Sequence, residues 1–204
     1  MISSKHRFIF LHVPKTGGNA VQDRLLGFSD DRRVVNRPDQ DGVERYGVSG
    51  PVTPTKHATF ADYAERLGSA LSDYAVVFPI RPPFERLISL YYSPRWWTER
   101  EPEWDEQRFL DLLQETPSAV SFLNVRGQMK WPEHLLRFSS LQRDYGMMVQ
   151  SLQIPAPLSL PRRNAGTVAS SEIQKILRNK ALRRHVEDLY SDDMEFLSAV
   201  RYEN

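Results

Sequence analysis

Apolar positions fall in short runs separated by polar, glycine- and proline-bearing breaks, and the period of the runs alternates between two types. Arg7–Val13 (RFIFLHV) is apolar, aromatic and β-branched, is too short for a helix, and stops at Pro14, so it predicts a buried strand. Tyr74–Ile80 predicts a second strand, ended by Arg81-Pro82-Pro83, and His134–Phe138 a third. Between them the spacing becomes helical. Val21, Leu25 and Leu26 mark a helix from Asn19 to Leu26, and Tyr63 and Leu67 one from Phe60 to Leu67 behind a Thr59 cap. Pro83 opens a third, carrying Leu87, Ile88, Tyr91 and Tyr92. Asp105–Glu115, Ser118–Asn124 and Leu141–Leu152 also read as helices. So does a basic stretch from Ser170 or Ser171 to Tyr190, broken near Asn179, with Ser191 capping the last turns. Residues 28–56 show no period and read as a long irregular loop; 93–103 is a loop bearing Trp and Pro, and 154–161 a connector with prolines at 155, 157 and 161. Strands alternating with helices predict an α/β fold of three layers, with a mainly parallel central sheet flanked by helices. No internal repeat is present, and the whole of 1–204 reads as a single domain.

Composition narrows the function classes. Hydrophobic residues at 40% and aromatics at 11% can build a core, which excludes wholesale disorder. A formal net charge of +1 gives no global attraction to nucleic acid or to a membrane surface, so any anion site must be assembled locally. The absence of cysteine removes disulfide scaffolds, thiolate zinc sites and cysteine nucleophiles, and suits a reducing cytoplasm. Phe8–Leu11 and Tyr74–Ile80, the longest apolar runs, fall far short of the ~20 residues of a membrane helix. Met1–Arg7 lacks the apolar region of a signal peptide. The expectation is a cytoplasmic protein without a membrane span.

Two segments carry chemistry. His12-Val13-Pro14-Lys15-Thr16-Gly17-Gly18-Asn19-Ala20 places a glycine loop between a strand and a helix. The first amides of such a helix lack intrahelical partners and its dipole adds partial positive charge, so an anion fits there. Lys15 adds a full charge, the Thr16 hydroxyl a donor, and Gly17 and Gly18 allow close approach of the backbone. The loop is not a Walker A sequence, because Lys-Thr precedes the glycines, and no later Asp is obviously placed for magnesium; no metal is expected. The second segment, Phe78 to Tyr92, puts Arg81 where a strand ends and Ser89 two helical turns on. Strand ends collect ligands in open α/β sheets, and a guanidinium suits a phosphate.

Together these segments resemble the 5′-phosphosulfate loop and the 3′-phosphate motif of sulfotransferases that use 3′-phosphoadenosine 5′-phosphosulfate (PAPS). The nearest group is the Golgi-type carbohydrate enzymes and their bacterial relatives. Arg81, Pro83, Glu85-Arg86-Leu87, Ser89 and Tyr91 follow that motif in order, and Tyr190-Ser191-Asp192-Asp193 is similar to the family's ending. The resemblance implies a P-loop-like fold and a sulfuryl transfer from PAPS to a hydroxyl, leaving 3′-phosphoadenosine 5′-phosphate (PAP). It also implies that Lys15, Thr16, Gly17, Gly18, Asn19 and Ala20 hold the 5′-phosphosulfate and that Arg81 and Ser89 hold the 3′-phosphate. Leu160–Thr167 resembles the family's late loop, so that Arg162, Arg163 or Thr167 would reach the 3′-phosphate or ribose. Phe138–Leu141 departs from relatives that carry a Glu near that strand end.

His57, 24 residues before Arg81, resembles the histidine that serves as base in uronyl-type members, and neutral imidazole suits the task near pH 7. Lys15 would share the catalytic work by stabilising the leaving group. His12 is the second candidate base and Asp23 a weak substitute; His134 and His185 read as structural, and His6 is uninformative. Trp96, Trp97 and Trp104 offer faces for a sugar or aromatic acceptor, or are plain core. The basic run from Lys175 to Arg184 reads as a solvated helix face. The acceptor class is a carbohydrate or a small molecule bearing a hydroxyl. Two other readings stay open: a phosphotransferase using the same loop, marked by magnesium-dependent ATP turnover, and a nucleotide-binding module that holds PAP without transfer.

Overall fold

The structure, a computed structural model, describes residues 1–34, 47–93, 103–161 and 171–200. It divides into two compact units, Met1–Ile80 with Ser121–Asn164, and Arg81–Val120 with Ala165–Asn204.

The first unit holds the central sheet. Strands β1 (Ile2–Ser3), β2 (Phe8–Phe10), β5 (Ala75–Ile80) and β8 (His134–Arg137) run in that order. The β2–β5 and β5–β8 pairs are parallel and β1 is antiparallel at the edge. Phe10 stands opposite Val77 and Ile80 opposite Arg137. Phe8, Ile9 and Phe10 are all fully buried, as a strand covered on both faces requires. Helices α1 (Gly18–Leu25) and α5 (Leu141–Ser151) contribute Val21, Leu25, Tyr145, Met148 and Val149 to a core with Phe8, Phe10, Val77 and Leu136.

Between β2 and β5 lie a short hairpin, β3 (Arg32–Val34) with β4 (Gly47–Ser49), and helix α2 (Phe60–Leu67). Part of the expected 28–56 loop is thus ordered strand. Thr59 caps α2 reciprocally: its hydroxyl accepts from the Asp62 amide while the Asp62 carboxylate accepts from the Thr59 amide. Asp144, buried in the first turn of α5, accepts from the Arg137 amide and side chain and from the Ser140 hydroxyl, which fixes the turn after β8.

The expected helix at 118–124 is a short 3₁₀ turn (Val120–Leu123) leading into the hairpin β6 (Asn124–Val125) and β7 (Gln128–Met129). Arg126 and Gly127 both take positive φ, 51° and 79°, which is the tight hairpin habit and is incompatible with a continuing helix.

The second unit is helical: α3 (Pro83–Tyr91), α4 (Glu106–Glu115), α6 (Ser171–Leu177), α7 (Lys180–Leu189) and α8 (Ser191–Ala199). The basic stretch breaks where Asn179 caps α7. Its core joins Phe84, Leu87, Ile88 and Tyr91 to Phe109, Leu113, Leu182 and Val186. At its centre lies Arg86, almost wholly buried. Its guanidinium donates to the Pro117 carbonyl at 2.8 Å, stands 3.9 Å from the Asp193 carboxylate and lies over the Tyr190 ring. Asp193 accepts in turn from the Ala119 and Val120 amides, and the Tyr190 hydroxyl reaches the carbonyls of Leu113 and Thr116. The Glu-Arg-Leu segment and the Tyr190–Asp193 ending are thus one structural node. Tyr91 pins the start of α4, donating to the Glu103 carbonyl and accepting from the Asp105 amide.

The sheet is therefore mainly parallel and flanked by helices in a mixed α/β chain, as the alternation of periods predicts. No helix among the described residues is long and apolar enough to cross a membrane.

Candidate active site

The chain leaves β2 at Phe10 and reaches α1 through residues 11–17. Lys15 takes φ 69° and Gly17 φ 85°, both left-handed. For Lys15 that conformation carries a strain most side chains avoid, and such residues gather where a backbone is bent around a ligand. Each glycine has a separate reason. A Cβ on Gly17 would stand 2.6 Å from a Leu141 methyl, besides being disfavoured at that φ, and a Cβ on Gly18 would meet the His12 ring at 2.4 Å. Only glycine admits this packing of the loop on the turn after β8 and on the imidazole beneath.

Not every group of the loop is turned to a ligand. Thr16 is fully buried and its hydroxyl donates to the Val13 carbonyl at 2.8 Å, so the proton expected to serve the anion is spent in closing the turn. The Ala20 amide donates back to the Gly17 carbonyl at 3.1 Å. The amides at the start of α1 and Lys15, which is half-buried, are the loop's candidates for an anion.

His12 lies under the loop. Its Nδ1 is 2.8 Å from Oε1 of Gln22, its ring meets the His57 ring edge to face at 5.1 Å, and burial holds its pKa well below the ordinary value. A buried, neutral, hydrogen-bonded imidazole packed on Gly18 is a structural histidine. The carbonyl of the same residue receives His57: Nδ1 of His57 lies 2.7 Å from it. A carbonyl only accepts, so Nδ1 carries the proton and Nε2 keeps a lone pair, the tautomer a base requires. His57 is exposed on its outer side. Desolvation on its inner side lowers its pKa, the hydrogen bond to His12 opposes that, and the Lys56 cation lowers it further.

The turn carrying His57 is held firmly. Thr53 donates to Asp31 at 2.9 Å and lies 3.0 Å from the Tyr63 hydroxyl, the Ala58 amide donates to the Thr55 carbonyl, and Thr59 begins α2. Lys56, on the same turn, places Nζ 2.6 Å from Oδ1 of Asn19 at the start of α1. The sequence reading gave Lys56 no role; its place beside a candidate base was the available signal. Asp23 lies within α1, and His134 sits half-buried in β8 with its pKa lowered by burial.

In the other unit, Arg81 follows β5 and Ser89 lies on α3, both half-buried. Burial lowers the Arg81 pKa and Glu85 opposes the shift. Glu85 also pairs with Arg183 at 2.9 Å, and the Arg183 guanidinium stacks over Phe84, so part of the basic run is engaged in packing. Trp104 packs on Tyr91, Tyr92 and Phe109, which makes it part of a core cluster. Arg162, Arg163, Thr167, Trp96 and Trp97 lie outside the described residues. Among the described residues no group of three or more His, Asp or Glu side chains is arranged to hold a metal ion.

The loop after β2 and the segment from Arg81 to Tyr91, which together carry the resemblance, both fall within a match to a family model. That model, described as the sulfotransferase family, covers residues 1–198. Comparison with curated proteins and with solved structures gives no match. A match over nearly the whole chain shows that the chain belongs to the sulfotransferase family, whose members transfer a sulfuryl group.

Proposed function

We propose that this sulfotransferase moves the sulfuryl group of PAPS to a hydroxyl of a carbohydrate or small natural product by in-line displacement, with His57 as the base and residues 1–204 acting as a single sulfotransferase domain. The observation that carries this reading is the 2.7 Å bond from Nδ1 of His57 to the His12 carbonyl, which orients Nε2 as an acceptor on a turn joined by Lys56 to the start of α1. The donor set fits a phosphosulfate: a left-handed loop, the first amides of α1 and the Lys15 ammonium. Bound PAPS supplies an activated sulfuryl group on a phosphate leaving group.

His57 takes the acceptor's proton at Nε2 as the acceptor oxygen forms its bond to sulfur. Lys15 and the amides of 17–19 stabilise the negative charge that gathers on the phosphate oxygen as the old sulfur–oxygen bond breaks, and PAP remains. Lys15, Thr16, Gly17, Gly18, Asn19 and Ala20 form the 5′ side of this donor site, Thr16 by shaping the turn. Arg81 and Ser89 bind the 3′-phosphate, with Arg162 or Arg163 added from the late loop. Positioning supplies most of the rate, as in phosphoryl transfer.

The direct test is transfer of labelled sulfur from PAPS to a panel of sugars and hydroxylated small molecules. Lys15→Ala is expected to lower turnover roughly 10²–10³-fold, the scale for losing one donor to developing charge; rates within about threefold of the wild type would remove Lys15 from the reaction. A second expectation concerns pH. Protonation silences His57, and desolvation with Lys56 holds its pKa below the ordinary 6.5. Activity is therefore retained to a lower pH than free imidazole would allow, and the acid midpoint of kcat/KM should lie below 6.5. A midpoint at or above that value would contradict the assignment.

A further inference from the structure

We propose that Arg183 is a positioning residue for nucleotide binding: by engaging Glu85 it keeps that carboxylate from competing with the 3′-phosphate for Arg81. The inference rests on the reading of Arg81 as a ligand of the 3′-phosphate and deepens it with a residue that acts through its neighbour and not on the nucleotide.

Glu85 lies in the first turn of α3, four residues after Arg81. Burial lowers the Arg81 pKa and the charge of Glu85 opposes that, so the carboxylate favours the cation. The same charge acts against a phosphate. A carboxylate beside an arginine is a rival for its donors, and it repels a second anion brought to the same cation. A 3′-phosphate at Arg81 is therefore disfavoured unless another group neutralises Glu85.

Arg183 is that group. Although it lies on α7, far along the chain, its Nη1 stands 2.9 Å from Oε1 of Glu85. Three further contacts fix the guanidinium. Nη1 is 3.5 Å from Oε1 of Glu187, one turn on in α7, and Nη2 donates to the Leu177 carbonyl at 3.4 Å, where α6 ends. The guanidinium also lies over the ring of Phe84, the residue before Glu85, at 4.7 Å. Charges thus alternate from Arg81 through Glu85 and Arg183 to Glu187. Oε2 of Glu85 is buried and has no hydrogen-bond partner among the described residues, so the hold of Arg183 on Oε1 decides where the carboxylate points. The Arg183 and Glu85 side chains are 32% and 29% exposed, and a pair so placed adds little to folding. Its effect falls on the charge that surrounds Arg81.

The test is calorimetric titration of PAP into the wild type, Arg183→Gln, Glu85→Gln, the double variant carrying both changes, and Arg183→Lys. Arg183→Gln should weaken PAP roughly 5- to 50-fold, the range for neighbours in one ion-pair network. Glu85→Gln should bind PAP at least as tightly as the wild type. In the double variant the affinity should return to within about threefold of the wild type, because Arg183 acts only through the carboxylate. Arg183→Lys keeps the charge without the planar fork and should fall between the wild type and Arg183→Gln. A double variant as weak as Arg183→Gln would mean that Arg183 meets the nucleotide directly, and an unchanged affinity in Arg183→Gln would deny it any part in binding. Either result would overturn the proposal while leaving the PAPS reading intact. A wild type that does not bind PAP would sink the PAPS reading itself. Thermal melts accompany the titrations, and Arg183→Gln should stay folded. Unfolding of that variant that Glu85→Gln does not relieve would make Arg183 a structural support and overturn the proposal.

Discussion

Replacing His57 by alanine is expected to reduce kcat roughly 10²–10⁴-fold, the contribution of a positioned acid–base group, while PAPS and PAP still bind. Binding should survive because the proposed role of the imidazole concerns the acceptor's proton and not the nucleotide. The side chain is exposed and, among the described residues, its hydrogen bond is to a carbonyl, so its loss should cost little stability. The informative comparison is between two readouts on one variant. Lost turnover with retained titration by PAP supports the base; full activity would move the base elsewhere. His12→Asn provides the contrast. His12 is buried between Gln22 and Gly18, so that change should disturb the loop and weaken nucleotide binding together with turnover.

The second large effect is structural. Arg86→Ala should destabilise the protein by about 3–5 kcal/mol, the scale for breaking a buried ion pair from one side. In a chain of this size that amounts to a fall of roughly 6–20 °C in the melting temperature. The arginine is almost wholly buried, and its removal leaves the Asp193 carboxylate buried without its cation and the Pro117 carbonyl without its donor. Asp193 keeps the Ala119 and Val120 amides, which places the loss toward the lower end of the range. Asp193→Asn alone should cost less, and the double variant less than the sum, because both changes act on one network. Differential scanning calorimetry checks the series. A loss under about 1 kcal/mol, or strict additivity, would mean that the Glu-Arg-Leu segment is not the node described.

How much of this was legible in the sequence depended on how far apart the interacting residues lie. Prolines punctuate the chain so sharply that the end of β5 and the start of α3 follow from Pro82-Pro83, and the Thr59 cap marks the start of α2. Strands of two or three residues, such as Ile2–Ser3 and the Arg32–Val34 and Gly47–Ser49 pair, are too short to show a period of two and vanish into what reads as loop. Where a helix is expected over Ser118–Asn124, the chain makes a 3₁₀ turn and enters a hairpin whose turn, Arg126-Gly127, begins with an arginine at positive φ, where Asn or Gly would have announced it.

The candidate site divides in the same way. The loop from His12 to Ala20 is contiguous and shows its chemistry in its residue types. The bond of His57 to the His12 carbonyl spans 45 positions and that of Lys56 to Asn19 spans 37; only the fold brings them together. Thr16 shows the opposite limit: its residue type suits an anion, but the turn uses its hydroxyl first.

The proposal put to the most direct test is that the chain binds an adenosine carrying phosphates at both its 3′ and 5′ positions, without need of magnesium. Thermal shift of the intact protein with PAP, set against ATP with and without magnesium, addresses it directly. Stabilisation that is larger with PAP than with ATP and indifferent to magnesium is the predicted outcome. A shift produced by magnesium–ATP, with PAP inert, would contradict it.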